Sequence, residues 1–237
     1  GLLTHYRKIL RESRIEIFYV GSAPAEAVAE YISPLVSRLG GREGLLPPQT
    51  PFHPCPGQDV TETMEVSQGK LCMGFVTPIV NRDAEFPAMQ VFNTVFGAGM
   101  TSKLFLNVRE KLSLCYYASS SYARSKNILT VSSGVETADF ERAEAEIGRQ
   151  LQAVQQGDWE DWEQEGALQA IRASLLSLSD SQGALENFYL GQIAAGVEET
   201  PEELAAALEQ VTKERIVAAA QTVKPDTVYF LRGKEEA

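Results

Sequence analysis

The spacing of apolar positions divides the chain into short segments of changing period. Leu2 to Glu12 reads as a short helix. In Arg14 to Val20, Ile15, Ile17 and Tyr19 alternate with Glu16 and Phe18, and Gly21 follows; this predicts a strand. Pro24 opens a helix with Ala25, Val28, Tyr31, Ile32, Leu35 and Leu39 at helical spacing, and Gly40-Gly41 stops it. Residues 42–57 hold five prolines without periodicity, which predicts a long loop. Val60 to Ser67 alternates, Lys70 to Thr77 is more continuously apolar, and Gln68-Gly69 between them is a hairpin signal. Phe86, Met89, Phe92 and Phe96 then mark a helix that Gly97 terminates. Another starts at Thr101 or Ser102 and runs through Lys111, with Leu104, Phe105 and Val108 as its apolar face. Leu114 to Arg124 and Ile128 to Val135 form a second strand pair around Ser125-Lys126-Asn127.

The remainder is mainly helical. Phe140, Ala143, Ile147, Leu151 and Val154 mark one helix, and others run from about Trp159 to Leu178 and from about Gln182 to Ala195. Thr200-Pro201-Glu202-Glu203 is an N-terminal signature, with Thr as cap, Pro in the first position and Glu three residues on. Thr212 caps a short helix, and Thr227 to Leu231 is a closing strand. About six strands, with helices grouped mainly after two hairpins, predict an α+β fold. No second composition regime or internal repeat is visible, so 1–237 is read as one domain.

Composition narrows the function classes. The 237 residues include 21 Lys and Arg against 32 Asp and Glu, a net charge of −11. Such a chain repels phosphate backbones, which argues against nucleic acid as partner. Its apolar runs fall short of the roughly 20 residues that a membrane span needs, so no membrane partner is expected. There are two histidines, His5 and His53, which argues against a multi-histidine metal site. Cys55, Cys72 and Cys115 are odd in number and far apart, so free thiols in a reducing compartment, the cytoplasm, are expected. The chain opens on Gly1 with no secretion signal in view, and it reads as a fragment of a longer protein.

Several motifs fail on spacing. Gly97-Ala98-Gly99 follows a helix and lacks the third glycine of a dinucleotide fingerprint. Neither orientation of the HxxEH zinc motif occurs, and serine or cysteine nucleophiles lack a nearby histidine base. Glu160, Asp161, Glu163 and Glu165 read as the solvated face of a helix N-terminus. The informative stretch is Phe92 to Tyr122. There, Arg109 lies near the end of a helix, and Tyr116 follows seven residues later. A cation and a phenol brought together where a helix feeds a strand suit a peptide carbonyl or carboxylate. Alternatively, Arg109 caps helix carbonyls and Tyr116 is a wet core residue; the residues alone leave both open.

This stretch resembles the M16 (pitrilysin, insulinase, mitochondrial processing peptidase) zinc metallopeptidases. Their pattern is a helix ending in FGxGxxS, then LFxxxREKxxLxY; here stand Phe96-Gly97-x-Gly99, Ser102, Leu104-Phe105, Arg109-Glu110-Lys111, Leu114 and Tyr116. The opening, with a helix, a strand ending in Val20-Gly21 and a helix near Pro24, resembles the family's C-terminal-type domain. The resemblance implies a six-stranded, largely antiparallel sheet with helices packed on one face. It also implies a substrate-binding half without catalytic residues, in which Arg109 and Tyr116 contact a peptide substrate. Tyr117 would point to the opposite strand face, so the seven-residue spacing selects Tyr116. No cofactor is expected in this chain; zinc would sit in a partner half, in cis or as a heterodimer partner. The chain alone is then expected to be inactive, and a structural or peptide-binding homologue without proteolytic role is the alternative.

Overall fold

The computed structural model describes residues 1–39 and 57–233, and these divide into two compact units. The predicted proline-rich loop lies outside the described residues except for Gly57, and so do His53 and Cys55.

The larger unit comprises described residues 57–177 and 197–233. Its five strands are β1 (Gln58–Met64), β2 (Gly69–Val76), β3 (Tyr117–Ala123), β4 (Ile128–Val135) and β5 (Lys224–Gly233), in spatial order β1-β5-β2-β4-β3. β5 runs parallel to β1, with Gln58 opposite Thr227, and antiparallel to β2, with Cys72 opposite Tyr229. β2–β4 and β3–β4 are antiparallel.

Three expectations are corrected here. The sheet has five strands, where six were expected, and it is mixed. β1 and β2 do not form a hairpin, because β5 lies between them. The physical reason is the composition of the strands. β1, QDVTETM, is mostly polar and exposed, which suits an edge. The Val228-Tyr229-Phe230-Leu231 run of β5 is apolar on both faces, which suits an interior strand. Finally, Arg14–Val20 forms neither helix nor strand and pairs with no strand among the described residues.

One face of the sheet carries the core. Leu71, Met73 and Phe75 of β2, Leu129 and Val131 of β4 and Phe230 of β5 are buried, while Lys70, Ser119 and Ser121 on the other face are exposed. Against the buried face pack α3 (Phe86–Asn93), α4 (Phe140–Gln155) and α8 (Lys213–Thr222), supplying Met89, Phe92, Ile147 and Ile216 to the interior. The Phe230 ring stacks on Phe140, with centroids 4.1 Å apart. Beside these lie α5 (Asp161–Leu176) and α7 (Pro201–Glu209). The Thr200 hydroxyl and the Glu203 carboxylate form the capping box that the sequence announces for α7. At α5, however, Glu163 is not solvated. It is buried, accepts the Glu160 N–H at 2.8 Å and pairs with Lys103 Nζ at 3.1 Å. Only a paired and hydrogen-bonded carboxylate is tolerated at such burial.

The smaller unit comprises residues 1–39 and 178–196. It holds α1 (Leu2–Glu12), α2 (Ala25–Ser37) and α6 (Gln182–Ala195). Ser181 caps α6 by accepting the Ala184 N–H, and Gly196 ends it at φ +71°.

Gly97 and Gly99 of the glycine motif have different roles. After α3 the helix widens into π-type turns over Thr94–Ala98. A Cβ on Gly97 would stand 2.6 Å from Leu104 Cδ1 and 2.8 Å from Ser120 Cβ, both buried. A Cβ on Gly99 would meet nothing closer than 3.6 Å. Gly97→Ala should therefore destabilise the protein by about 1–3 kcal/mol, the usual cost of overpacking. Gly99→Ala should be tolerated. Urea unfolding of the two variants checks this; equal midpoints would contradict it.

Candidate functional site

Arg109 lies in the last turn of a second π-type segment, Leu104–Lys111. Ser102 starts that segment, its buried hydroxyl accepting the Phe105 N–H at 3.3 Å. Leu104 and Val108 anchor it in the core, and Asn107 Nδ2 donates to Gln150 Oε1 of α4 at 2.9 Å. π-type turns are rare and gather at functional sites, because the extra residue per turn re-aims the side chains. The segment closes with Leu112 N–H donating to the Asn107 carbonyl and Leu114 N–H to that of Val108. Ser113 adopts φ +50° to make this turn.

Arg109 is thereby held on the surface. Its guanidinium lies over the Phe105 ring, 4.9 Å from the centroid, and its Nε stands 3.6 Å from Glu110 Oε1. Its carbonyl accepts the Ser113 N–H, a closing bond of the helix made by backbone. The guanidinium therefore does not act as a helix cap among these contacts.

Tyr116 immediately precedes β3. Its backbone N–H donates to the Gly134 carbonyl at 2.8 Å, which fixes it beside the end of β4. The side chain is 59% exposed, so it is not a core residue. Its hydroxyl donates to Glu136 Oε1 at 2.5 Å. That bond, then the charge of Glu136, raises the phenol pKa above its ordinary value. Between the two residues, burial raises the Cys115 thiol, offset in part by its bond with Ser133 and by the charge of Arg109. Arg109 thus exerts its field on the residue next to Tyr116. No hydrogen bond joins Arg109 to Tyr116 among the described residues; each polar end is tied to its own carboxylate. A cavity of about 320 Å³ beneath the intervening loop is lined by Leu112, Leu114 and the α4 residues Arg142 and Arg149, and not by Arg109 or Tyr116.

Glu136 was absent from the sequence reading. The β3–β4 hairpin register could have found it, because pairing Tyr117 with Gly134 carries Tyr116 toward the residues just after β4. Phe105 stands four residues before Arg109, the spacing that brings side chains together on one helical face.

Among the described residues no group of three or more His, Cys, Asp or Glu is placed to hold a metal ion. His5 is exposed on α1. Among the described residues, no helix is long and apolar enough to cross a membrane.

An α+β unit with an exposed arginine and an exposed tyrosine on either side of a turn that follows a widened helix, and with no metal cluster among its described residues, is the class of protein in hand. The family model described as the peptidase M16 inactive domain matches residues 2–171, and the chain belongs to that family. It is 35% identical over 232 residues to a Bacillus subtilis protein named "Probable inactive metalloprotease YmfF", covering 98% of this chain and 54% of that protein. It is 26% identical over 185 residues to the "Uncharacterized zinc protease YmxG" of the same organism, covering 77% of this chain and 44% of that one. The chain thus spans about half the length of the curated relatives it matches. Among solved structures, a conserved protein from Enterococcus faecalis V583 superposes with a TM-score of 0.84 at 30% identity, over 100% of this chain and 56% of that one. The peptidase M16 inactive domain from Pseudomonas fluorescens shares the fold, with a TM-score of 0.71 at 18% identity, over 90% of this chain and 52% of that one.

The Tyr116–Glu136 bond is open to direct titration. In wild type, the Tyr116 phenol should ionise above the ordinary tyrosine range. Glu136→Gln should bring it down, because the substitution removes the charge that opposes phenolate. Ultraviolet absorbance titration, with Tyr116→Phe to assign the phenol, checks the direction. An unchanged titration in Glu136→Gln would show that the bond does not hold in solution.

Proposed function

We propose that this chain is the non-catalytic, substrate-binding half of an M16-type zinc metallopeptidase, in which Arg109 and Tyr116 contact a peptide. The observation that carries this reading is that both polar ends are displayed at the surface by local devices with no other evident role. These are a widened helix ending at a positive-φ serine on one side and a strand-end backbone bond on the other. Exposed carboxylate partners are readily exchanged for a substrate carbonyl or carboxylate, because surface ion pairs contribute only about 0–1 kcal/mol. The guanidinium supplies a planar, directional fork and the phenol a single donor.

In such a pair the bond-breaking chemistry belongs to a zinc-bearing half, in cis or as a heterodimer partner; this chain binds and orients the peptide. Nucleic acid and membrane have no place in the proposal. We place the protein in the cytoplasm, supported by Cys72 and Cys115 standing apart as free, half-buried thiols. The whole of 1–237 is proposed to serve as one C-terminal-type domain. The second reading is a structural or peptide-binding M16 homologue with no proteolytic role, favoured by the word "inactive" in the name of the YmfF relative.

With the zinc-bearing half present, Arg109→Lys and Tyr116→Phe should each lower peptide turnover by about 10²-fold or more, as expected for the loss of one donor aimed at developing charge. Their melting temperatures should stay close to wild type, because surface substitutions usually change stability by less than about 0.5 kcal/mol. Turnover assays paired with thermal melts check this. Wild-type turnover in both variants would defeat the role of the pair, and proportional losses of activity and stability would favour a structural one.

The chain alone should bind no stoichiometric zinc and cleave no peptide. Metal analysis of the purified chain checks the first point. About one tightly held zinc per chain, lost on His53→Ala, would overturn it.

A further inference from the structure

A groove runs along one face of α4 in the larger unit. Glu141, Glu144, Gly148, Leu151 and Gln155 share that face, at the spacing of successive helical turns, and line a cavity of about 530 Å³. Its floor is the sheet, with Met73 and Phe75 of β2 and Val228 of β5, all apolar. The volume falls within the roughly 300–1,000 Å³ of small-molecule sites, which pair an apolar lining with a few placed polar groups. The groove stays open because α4 carries a glycine over that floor. A Cβ on Gly148 would meet nothing within 4 Å. Glycine weakens a helix interior, so one that faces open space costs stability without relieving any crowding.

The two ends of the groove differ in charge. At one end stand Glu141 and Glu144, and Asp59 of β1, opposite Val228, extends its field to Glu144. Burial raises the Glu144 carboxyl above its ordinary value, and the charges of Asp59 and then Glu141 add to this. Among the described residues none of the three carboxylates has an ion pair or a side-chain hydrogen bond. Nor do they converge on a metal, since no group of three or more His, Cys, Asp or Glu among the described residues is placed to hold one. At the other end Gln155 Nε2 donates to the Ala220 and Val223 carbonyls at 3.1 and 3.2 Å, which ties α4 to the end of α8, and Lys224 lines the cavity there. α4 rises about 16 Å between Glu144 and Gln155. Walls joined at one end suit a chain that terminates in the groove better than a polypeptide running through it.

We propose that this groove is a binding site for a free amphipathic amine, a linear aliphatic chain with one terminal ammonium. The chain lies on Met73, Phe75 and Val228 in the space above Gly148, and the ammonium sits among Asp59, Glu141 and Glu144. Carboxylates by themselves hold only solvent counterions; the apolar floor beside these selects the ligand. An ammonium spreads three donors over separate acceptors, which suits carboxylates that do not converge on one ion. Lys224 at the far end repels a second cation, so the site selects monoamines over diamines. Neither Arg109 nor Tyr116 lines the groove, and the site stands whether or not that pair binds peptide.

The test is a titration of the 237-residue chain with octylamine, octanoate, octane diamine and butylamine, followed through the methionine methyl resonances by NMR. Met73 lies in the floor of the groove and Met89 in the core, and Met73→Leu assigns the first resonance. Octylamine should shift the Met73 methyl and leave Met89 in place, with a dissociation constant below about 1 mM. Octanoate and the diamine should bind at least tenfold more weakly, and so should butylamine, because each buried methylene adds to binding. Gly148→Leu fills the groove and should weaken octylamine at least tenfold, while Gly148→Ala should stay within about twofold. Both should melt no lower than wild type, because they replace a helix-interior glycine. Glu144→Gln should weaken octylamine at least threefold. The proposal is overturned if the Met73 methyl does not move at about 10 mM octylamine, a concentration far above the expected constant. It is equally overturned if octanoate binds as tightly as octylamine, if Gly148→Leu binds as wild type does, or if Met89 shifts together with Met73, which would mean that the amine loosens the core. A short peptide with blocked termini and one lysine that binds as tightly as octylamine would make a polypeptide side chain the occupant and defeat the free amine.

Discussion

The larger unit depends on one strand that bonds two neighbours running in opposite directions. β5 receives β1 in parallel and β2 in antiparallel register, so without it neither would have a partner on that side. Among the described residues it follows every helix in sequence, and the contacts it makes span the length of the unit. Its pairings join residues as far apart in sequence as Gln58 and Thr227, which raises the contact order of the unit. Its side chains explain the fit. Phe230 enters the core against Phe140, and its ring comes within about 3 Å of where a Cβ on Gly69 would stand. The Val135 carbonyl of β4 would stand closer still, at 2.8 Å, so any side chain at Gly69 would force β4 to shift.

The site's geometry follows from the opposite end of the sheet. β3 is the far edge, and the widened helices from Thr94 to Lys111 pack beside it. Gly97 lets that layer approach Ser120, whose hydroxyl bonds Asn93 Oδ1 at 2.7 Å. The approach fixes the start of Leu104–Lys111, and with it the direction of Arg109. The hairpin register fixes Tyr116 independently, through β4. Two separate supports thus converge on the loop that links Arg109 to Tyr116, and Ser113 absorbs the mismatch by taking a positive φ.

Most elements could be read from the sequence, because their signals are local. The Thr200 cap, the Thr212 cap and the Asn127 turn are set by neighbours within a few residues, and each stands where the pattern put it. The partners of strands are not local. Gln68-Gly69 carries a turn signal, yet an apolar run more than 150 residues away takes the place between β1 and β2, which no window across 60–77 contains. Arg14–Val20 shows the same limit from the other side, since alternation records that a segment suits a sheet without naming the sheet. At the site, the motif marked Arg109 and Tyr116, whereas Glu136 became visible only through the pairing of β3 with β4. Glu163 was misread because its i, i+2 acidic neighbours are solvated; Lys103, sixty residues earlier, decides its burial.

Electrostatics explains how an exposed arginine and an exposed tyrosine are held on so acidic a chain. With a net charge of −11, a free surface guanidinium and phenol attract the nearest carboxylates, and Glu110 and Glu136 occupy them. In water such contacts are weak, because solvent screens charge and competes for each donor. Covering the same surface would lower the local dielectric and strengthen whatever bonds remain, so in the proposed role the carboxylates and a peptide group would compete on terms set by exclusion of water. The Glu110 side chain is exposed and 3.6 Å from the Arg109 Nε, so it can swing away at little cost. Glu136 is fixed just beyond β4, and its bond to Tyr116 is the more directional of the two. The phenol is therefore already oriented before any ligand arrives, while the guanidinium keeps its freedom above the Phe105 ring. In the proposed peptide-binding role, one oriented donor and one adaptable cation would suit a peptide backbone, whose carbonyl positions are regular and whose side chains and termini vary.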